Sequence, residues 1–454
     1  MGINQCGRAR EPKQRGRRME QKLSSSKLES IATQNLKTEI LAGITTFIAS
    51  VYIIMTNALI LSDAGISPDA AMIATVLTCT ISTILMGVLS DTPLILVPGM
   101  GINSLFTYTI VQSMGLAWQE ALAAVLVSGI IFTLIASTKL TSILMNSIPN
   151  NLKHAITTGV GFLILFIGLQ KSGLVVGNEN TMIGIGNIAD KETLLSIVTL
   201  IIILILNMKN VPGNLLISII IGTVLSLIMG VTSLSSLDFA GFNIGAIKEV
   251  FLGMSFKNIW SIPFMVAVFS ITIVIVFENM GILYGQLGAL KREEDFQKSF
   301  KVTGISNIIA GICGTSPTIV AAENFSGISV GGKSKVAAFT SATLFLLSLF
   351  LIPVLKLIPD GVISSVLIFI GILMIQTFFD LEKGDLIETI SIILMITIIP
   401  FTYNIVNGIS IGFIVYTILN LVINKGKNVS VAMYVLSGLF ILNFVMSTVM
   451  GTIH

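Results

Sequence analysis

From residue 39 onward the chain alternates long apolar runs with short polar breaks. Read between those breaks, the runs are 39–62, 69–90, 94–113, 117–137, 153–172, 192–208, 212–230, 262–288, 302–315, 318–332, 335–356, 361–379, 386–401 and 404–423. Most approach the length of about 20 residues that a helix needs to cross a hydrocarbon core. The pattern predicts an all-α polytopic membrane protein with fourteen transmembrane segments. One further run, 430–449, closes the chain as a C-terminal hydrophobic helix, either a fifteenth span or a helix packed at the interface.

Composition agrees. Of 454 residues 54% are hydrophobic and 11% charged, against about 25% charged in soluble domains. Mean hydropathy is +0.94. These values exclude a soluble enzyme, a nucleic-acid-binding module and a disordered chain, and make the lipid bilayer the first partner. The net charge of +3 is unevenly placed, with nine of the 26 lysines and arginines in residues 1–37. That segment has no apolar core of a signal peptide after its charges; it reads as a basic cytoplasmic tail, within which Met19 offers an alternative start. With the tail inside, 21 lysines and arginines fall on the inner side and five on the outer, as the positive-inside rule requires. The expected location is the plasma membrane, multi-pass, with a cytoplasmic N-terminus.

An internal repeat divides the spans. Residues 81–103 align without gaps to 305–327 at an offset of 224, with six of 23 positions identical, among them Gly87/Gly311 and Pro93/Pro317. Residues 52–61 align to 274–283 at an offset of 222, with four of ten identical. The repeat unit is seven spans. Seven is odd, so the second copy runs through the bilayer upside down. Such a 7+7 inverted repeat is a transporter architecture, with the site near the midplane where the copies meet.

Matching places in the two copies break the helical pattern. The third span carries Pro98, Gly99 and Gly101, and the tenth carries Pro317, Gly327, Gly331 and Gly332. These are poor helix-interior residues. Broken backbone at membrane depth is tolerated only beside protein, water or substrate, and N–H groups at a half-helix start suit an anionic or carbonyl-bearing ligand. Of 23 acidic residues, Glu278 in the eighth span and Glu323 in the tenth lie deepest. A carboxylate at the bilayer centre costs about 2.5–3.5 kcal/mol or more. Removal from water favours the neutral acid, so each suits proton exchange, and each can accept hydrogen bonds from a ligand's ring N–H groups. Asn57, Asn103 and Asn279 are their polar neighbours in matching spans, and Asn103 directly follows the first break. Cys6, Cys79 and Cys313 have no metal or redox spacing, no phosphate loop or zinc motif is present, and no cofactor or metal is expected.

The stretches 37–61, 98–111, 314–335 and 398–419 resemble the nucleobase:cation symporter superfamily, of the uracil/xanthine permease fold, and within it the AzgA-like hypoxanthine/guanine/adenine permease branch. The resemblance covers about residues 36–450. It implies a core domain of spans 1–4 (38–138) and 8–11 (261–357) and a gate domain of spans 5–7 (139–260) and 12–14 (358–425), followed by the C-terminal helix, 426–454. It also implies secondary active import of a purine base with a proton. The family's acidic positions fall on Glu278 and Glu323, and its third-span asparagine on Asn103. These residues, with Gly99, Gly101, Asn57, Phe277 and Phe325, form the expected substrate site, and the two glutamates the proton-coupling groups. The chain departs from the family pattern at Glu278–Asn279, where Asp-Thr is usual, at Ala58 after Asn57, where proline is usual, and at Asn324–Phe325, where small residues are usual. The alternatives are the same fold carrying uracil, xanthine or an anion, or a channel without coupled uptake. The absence of lysine and arginine between residues 38 and 138 argues against an anion carrier. Similar transporters include homodimers; no residue here argues for one.

Overall fold

The computed structural model describes residues 36–138, 141, 149–178, 181–211, 213–233, 244–355, 357–381, 384–424, 426 and 429–449. Residues 1–35 of the basic tail lie outside the described residues, and Leu36 and Lys37 begin the first helix. The chain is mostly helical, as a membrane interior demands, because a helix satisfies its backbone polar groups within itself.

The first repeat comprises α1 (Leu36–Ser62), α2 (Pro68–Ser90), strand β1 (Leu96–Pro98), α3 (Met100–Ser104, continuing as a π-helix over Leu105–Ser113) and α4 (Trp118–Ala136). It continues through α5 (Asn150–Lys171), a hairpin of β2 (Val175–Asn178) and β3 (Met182–Ile185), α6 (Lys191–Met208) and α7 (Asn214–Met229). The second comprises α8 (Ile262–Leu290), α9 (Phe296–Cys313), β4 (Thr318–Val320) and α10 (Asn324–Val330). It ends with α11 (Lys335–Leu355), α12 (Asp360–Phe379), α13 (Leu386–Phe401) and α14 (Ile405–Val422), and α15 (Val431–Val449) follows. Among the described residues nine helices are long and apolar enough to cross a membrane, and Asn214–Met229, Leu386–Phe401 and Val431–Leu442 are shorter apolar helices.

Local signals set the ends. Pro68 opens α2 after Ser67, and the Ser261 and Asp385 side chains cap α8 and α13 by accepting from Phe264 N–H and Glu388 N–H, each satisfying a donor the helix cannot. Gly314 closes α9 in the left-handed conformation, which glycine adopts without strain. α9 begins six residues before the predicted apolar run, because Phe296–Lys301 is helical although it carries Gln297, Lys298 and Lys301. The leading pieces of the third and tenth segments are extended strands rather than helix.

Repeat counterparts pack alike. α2 packs on α11 as α9 packs on α4, α5 on α13 as α12 on α6, and α5 on its own counterpart α12. β1 and β4 pair antiparallel with Leu96 opposite Val320, its counterpart at offset 224. α15 runs back along α14, with Thr417 and Ser437 hydroxyls 2.7 Å apart and the Phe413 and Phe440 rings in edge contact at 5.8 Å. Cys79 and Cys313 are buried free thiols.

Glycines set how closely the helices approach. A Cβ on Gly311 would stand 2.9 Å from the Leu126 backbone nitrogen, whereas one on its counterpart Gly87 would meet the ring of Phe339 at 2.8 Å. A ring can swing aside and a helix backbone cannot. Overpacking of rigid contacts costs about 1–3 kcal/mol. Gly311→Ala is therefore expected to lower the melting temperature of the detergent-solubilised protein more than Gly87→Ala, and equal shifts would count against this packing argument.

Candidate functional site

The site is built around the paired strands. Deep in a membrane protein their backbone groups need partners, and side-chain amides supply those the two short strands do not give each other. At one side of the ladder Gly99 N–H donates to Pro317 O at 3.2 Å, and at the other Ala321 N–H donates to Ile95 O at 3.2 Å. Asn279 Oδ1 accepts from Val320 N–H at 2.8 Å. Asn307 brackets Thr318, its Nδ2 donating to Thr318 O and its Oδ1 accepting from Thr318 N–H, each at 3.0 Å. Asn324 Oδ1 accepts from Ile95 N–H at 2.9 Å, its Nδ2 donates to Gln286 Oε1 at 3.1 Å, and Gln286 Nε2 donates to Ala321 O at 2.6 Å.

Asn57 and Asn103 meet through Ser316, whose hydroxyl lies 3.0 Å from Asn57 Oδ1 and 2.6 Å from Asn103 Oδ1. Asn57 Nδ2 donates to Thr75 and Thr315 hydroxyls at 2.7 and 2.9 Å. Both asparagines are fully buried, so they tie α1 and α3 to the turn before β4. Gly99 is packed against Ile319, and Gly101 against Val160 of α5, where a Cβ would stand 2.5 Å from Cγ1.

The two carboxylates differ in their surroundings. Ser50 Oγ donates to Thr46 O at 2.8 Å, and just beyond it α1 is interrupted by a turn at Val51–Tyr52. From that turn Tyr52 Oη donates to Glu323 Oε1 at 2.5 Å. Glu278 is half-buried and has no hydrogen-bond partner among the described residues. Phe277 is buried at 6% exposure, while Phe325 is 47% exposed beside α8, its ring tip 4.0 Å from where a Cβ of Gly285 would stand. Asn57 and Asn103 thus meet through Ser316, Glu323 is held separately by Tyr52, and Glu278 stands on α8 next to the strand-holding Asn279.

Along α8 the face bearing Glu278 changes character at that residue. Toward the N-terminus Val274, Ile271 and Ala267 are buried; toward the C-terminus Gly281, Gly285 and Ala289 are exposed and Ile282 is half-buried. The Glu278 face of α8 is therefore exposed toward the helix's C-terminal end and covered, or closed, toward the opposite end. At that closed end Lys171 Nζ, terminating α5, pairs with Asp63 Oδ2 after α1 at 2.7 Å. Tyr108 Oη donates to the same oxygen at 2.7 Å. Thr109 Oγ1 donates to Tyr403 O at 3.1 Å, and Tyr403 Oη donates to Gln170 Oε1. Tyr108 and Tyr403 also meet edge to face. The π-helical winding carries Tyr108, Thr109 and Gln112, the last donating to Asp63 O at 2.9 Å.

Among the described residues no group of three or more His, Cys, Asp or Glu side chains could hold a metal ion. Sequence reasoning missed Tyr52, Ser316 and Gln286. Gln286 was findable, since an amide in an apolar helix calls for a partner; Tyr52 and Ser316 gain meaning only from partners more than 200 positions away.

Residues 37–411 match the Permease family. A nucleobase transporter of Paenibacillus larvae, PlAzg2, is 42% identical over 84% of this chain and 76% of its own length. The adenine permease AdeP of Escherichia coli is 31% identical over 90% and 93%, and the guanine/hypoxanthine permease PbuO of Bacillus subtilis 30% over 89% and 96%. In fold the chain is similar to the transmembrane domain of the cyanobacterial bicarbonate transporter BicA, with a TM-score of 0.63 at 15% identity over 83% of this chain and 97% of that one. It is also similar to SLC26A9, with a TM-score of 0.62 at 12% identity over 87% and 70%.

The strand-holding role of Asn279 is open to test. Asn279→Ala strands the buried Val320 N–H, at a cost of about 1–3 kcal/mol. The expected result is a clearly lower melting temperature in detergent, and a parent-like melt would remove Asn279 from this role.

Proposed function

This chain belongs to the Permease family, and from that premise we propose that it imports a purine nucleobase across the cell membrane by proton symport. The observation that carries the reading is the unpartnered, half-buried Glu278 beside the strand crossing, at the head of an open face of α8. A purine offers ring N–H donors on a flat apolar body, which a carboxylate and an apolar wall would hold. Relatives named for adenine and for guanine and hypoxanthine support the substrate class. Glu278 accepts from the base; Glu323, one oxygen held by Tyr52, accepts with the other. One of the two takes up the coupled proton. Phe325 borders the base, and Asn57, Asn103, Gly99 and Gly101 keep the crossing in place.

The N-terminus is cytoplasmic in this proposal, so the open end faces the cytoplasm and the Asp63–Lys171 end faces out. The core (α1–α4 and α8–α11) moves against the gate (α5–α7 and α12–α14). The Asp63–Lys171 pair and the Thr109–Tyr403 bond join one body to the other and close the outer side while the inner side is open.

Uptake of radiolabelled hypoxanthine into purine-transport-deficient cells tests the substrate and the coupling. The expected result is saturable uptake, faster at about pH 5.5 than at about pH 7.5 because a protonatable carboxyl drives it, and lost in Glu278→Gln and Glu323→Gln at normal expression. With the protein at the membrane, absence of uptake and of competition by adenine or guanine would sink the purine assignment. The moving bodies have their own test. Joining cysteines at positions 63 and 171 with a short bifunctional maleimide, in a chain otherwise free of cysteine, should abolish uptake that the unlinked pair retains. Full uptake after complete cross-linking would rule out separation at this end.

A further inference from the structure

We propose that Gly281 sets the size of base the site accepts, by leaving open the part of a trough on α8 into which the second ring of a purine extends. The proposal rests on the nucleobase-uptake reading and deepens it.

Gly281 and Gly285 follow Glu278 by three and seven residues, which places all three on one face of α8. Glu278 and Gly285 are separated by about 10 Å of helix axis. A Cβ on Gly281 would meet nothing within 4 Å. One on Gly285 would touch only the ring tip of Phe325, at 4.0 Å. Most glycines of the described core have a different reason to be glycine. Gly101, Gly129, Gly161, Gly311 and Gly327 would each drive a Cβ to within 3.0 Å of a neighbouring atom. Gly281 relieves no such crowding, and it is not among the glycines with positive φ. Alanine is the better helix former, so neither packing nor backbone conformation calls for glycine there. What glycine provides is vacant space one turn below an unpartnered carboxylate, on the open side of the site.

The internal repeat sharpens the contrast. At the offset of 222 the counterpart of Gly281 is Leu59, and that of Glu278 is Thr56. The copy without the carboxylate carries the bulky side chain. A base that donates a ring N–H to Glu278 and lies flat along α8 covers Gly281 with its far ring, while Phe325 closes the trough beyond Gly285. A side chain at 281 shortens the trough and leaves room beside Glu278 for a single ring.

The test compares concentration-dependent uptake of labelled hypoxanthine, with adenine and uracil as bicyclic and monocyclic competitors, in the parent, Gly281→Ala, Gly281→Leu and Gly438→Leu. Gly438 on α15 also has nothing within 4 Å of a Cβ and controls for adding a leucine to a helix. Amounts at the membrane are read by immunoblot. The expected result is a rise in KM for hypoxanthine of about 3-fold in Gly281→Ala and about 10-fold or more in Gly281→Leu. Maximal rate should stay near the parent's, adenine should weaken in parallel as a competitor, and uracil should hold or gain relative to both. Gly438→Leu should match the parent. If Gly281→Leu fails to reach the membrane, Gly281→Ala carries the decision. A parent-like KM in the Gly281 variants, or a loss confined to maximal rate, overturns the size role and leaves purine uptake standing. A parent that takes up no purine overturns the transport reading and the occupant assigned to the trough with it.

Discussion

Backbone peptide groups placed inside a membrane must find partners within the protein, and in this chain that constraint is met by three residues of β1 against three of β4. Two segments could not remain helical through Pro98–Gly99 and Ser316–Pro317, and neither could have satisfied its freed groups alone. Their pairing fixes where α3 and α10 start, and hence where Glu323 stands. The amides of Asn279, Asn307, Asn324 and Gln286 complete the ladder from α8, α9 and α10. Each of these side chains is buried, and each has a partner for its oxygen, which is the condition under which a polar network rigidifies an apolar core.

Around this symmetric frame the chemistry is one-sided. Asn57 and Asn279 are repeat counterparts, and each steadies the segment around β4, one through Thr315 and Ser316 and the other through Val320. The carboxylates have no such twins: Thr56 matches Glu278 and Gly99 matches Glu323. The duplicated backbone supplies the crossed strands, while one copy alone supplies Glu278 and Glu323. Elements from both halves hold Glu323, which stands on the second copy while Tyr52 of the first donates to it.

Much of this was legible in the chain. The segments fell close to the apolar runs, because spans are long, apolar and separated by polar residues. The breaks were legible from proline and glycine, and the two deep carboxylates from the cost of burying charge. The strand pairing was not, since three extended residues become a strand only beside a partner more than 200 positions away. The start of α9 was masked by Gln297, Lys298 and Lys301, polar residues that a helix end tolerates. Asp63 and Lys171 read as ordinary charges at span ends; that they meet is a property of how α1 and α5 converge. Asn57 and Asn103 were legible as polar residues within apolar spans, but their shared bond to Ser316 depends on a turn that the break in the tenth segment creates.

Asp63 carries a last consequence. Extending the offset of 222 by two positions gives it Gly285 as counterpart. The first copy ends this stretch with a charge that anchors Lys171 and Tyr108; the second ends it with a hydrogen atom beside Phe325. An inverted repeat lends its two alternate shapes a common geometry, but it does not make them equal in energy. In the proposed transport cycle one shape is fastened by the Asp63–Lys171 pair, while the other has no matching carboxylate at position 285, so that proposed cycle runs on an uneven landscape even though its scaffold is nearly a palindrome.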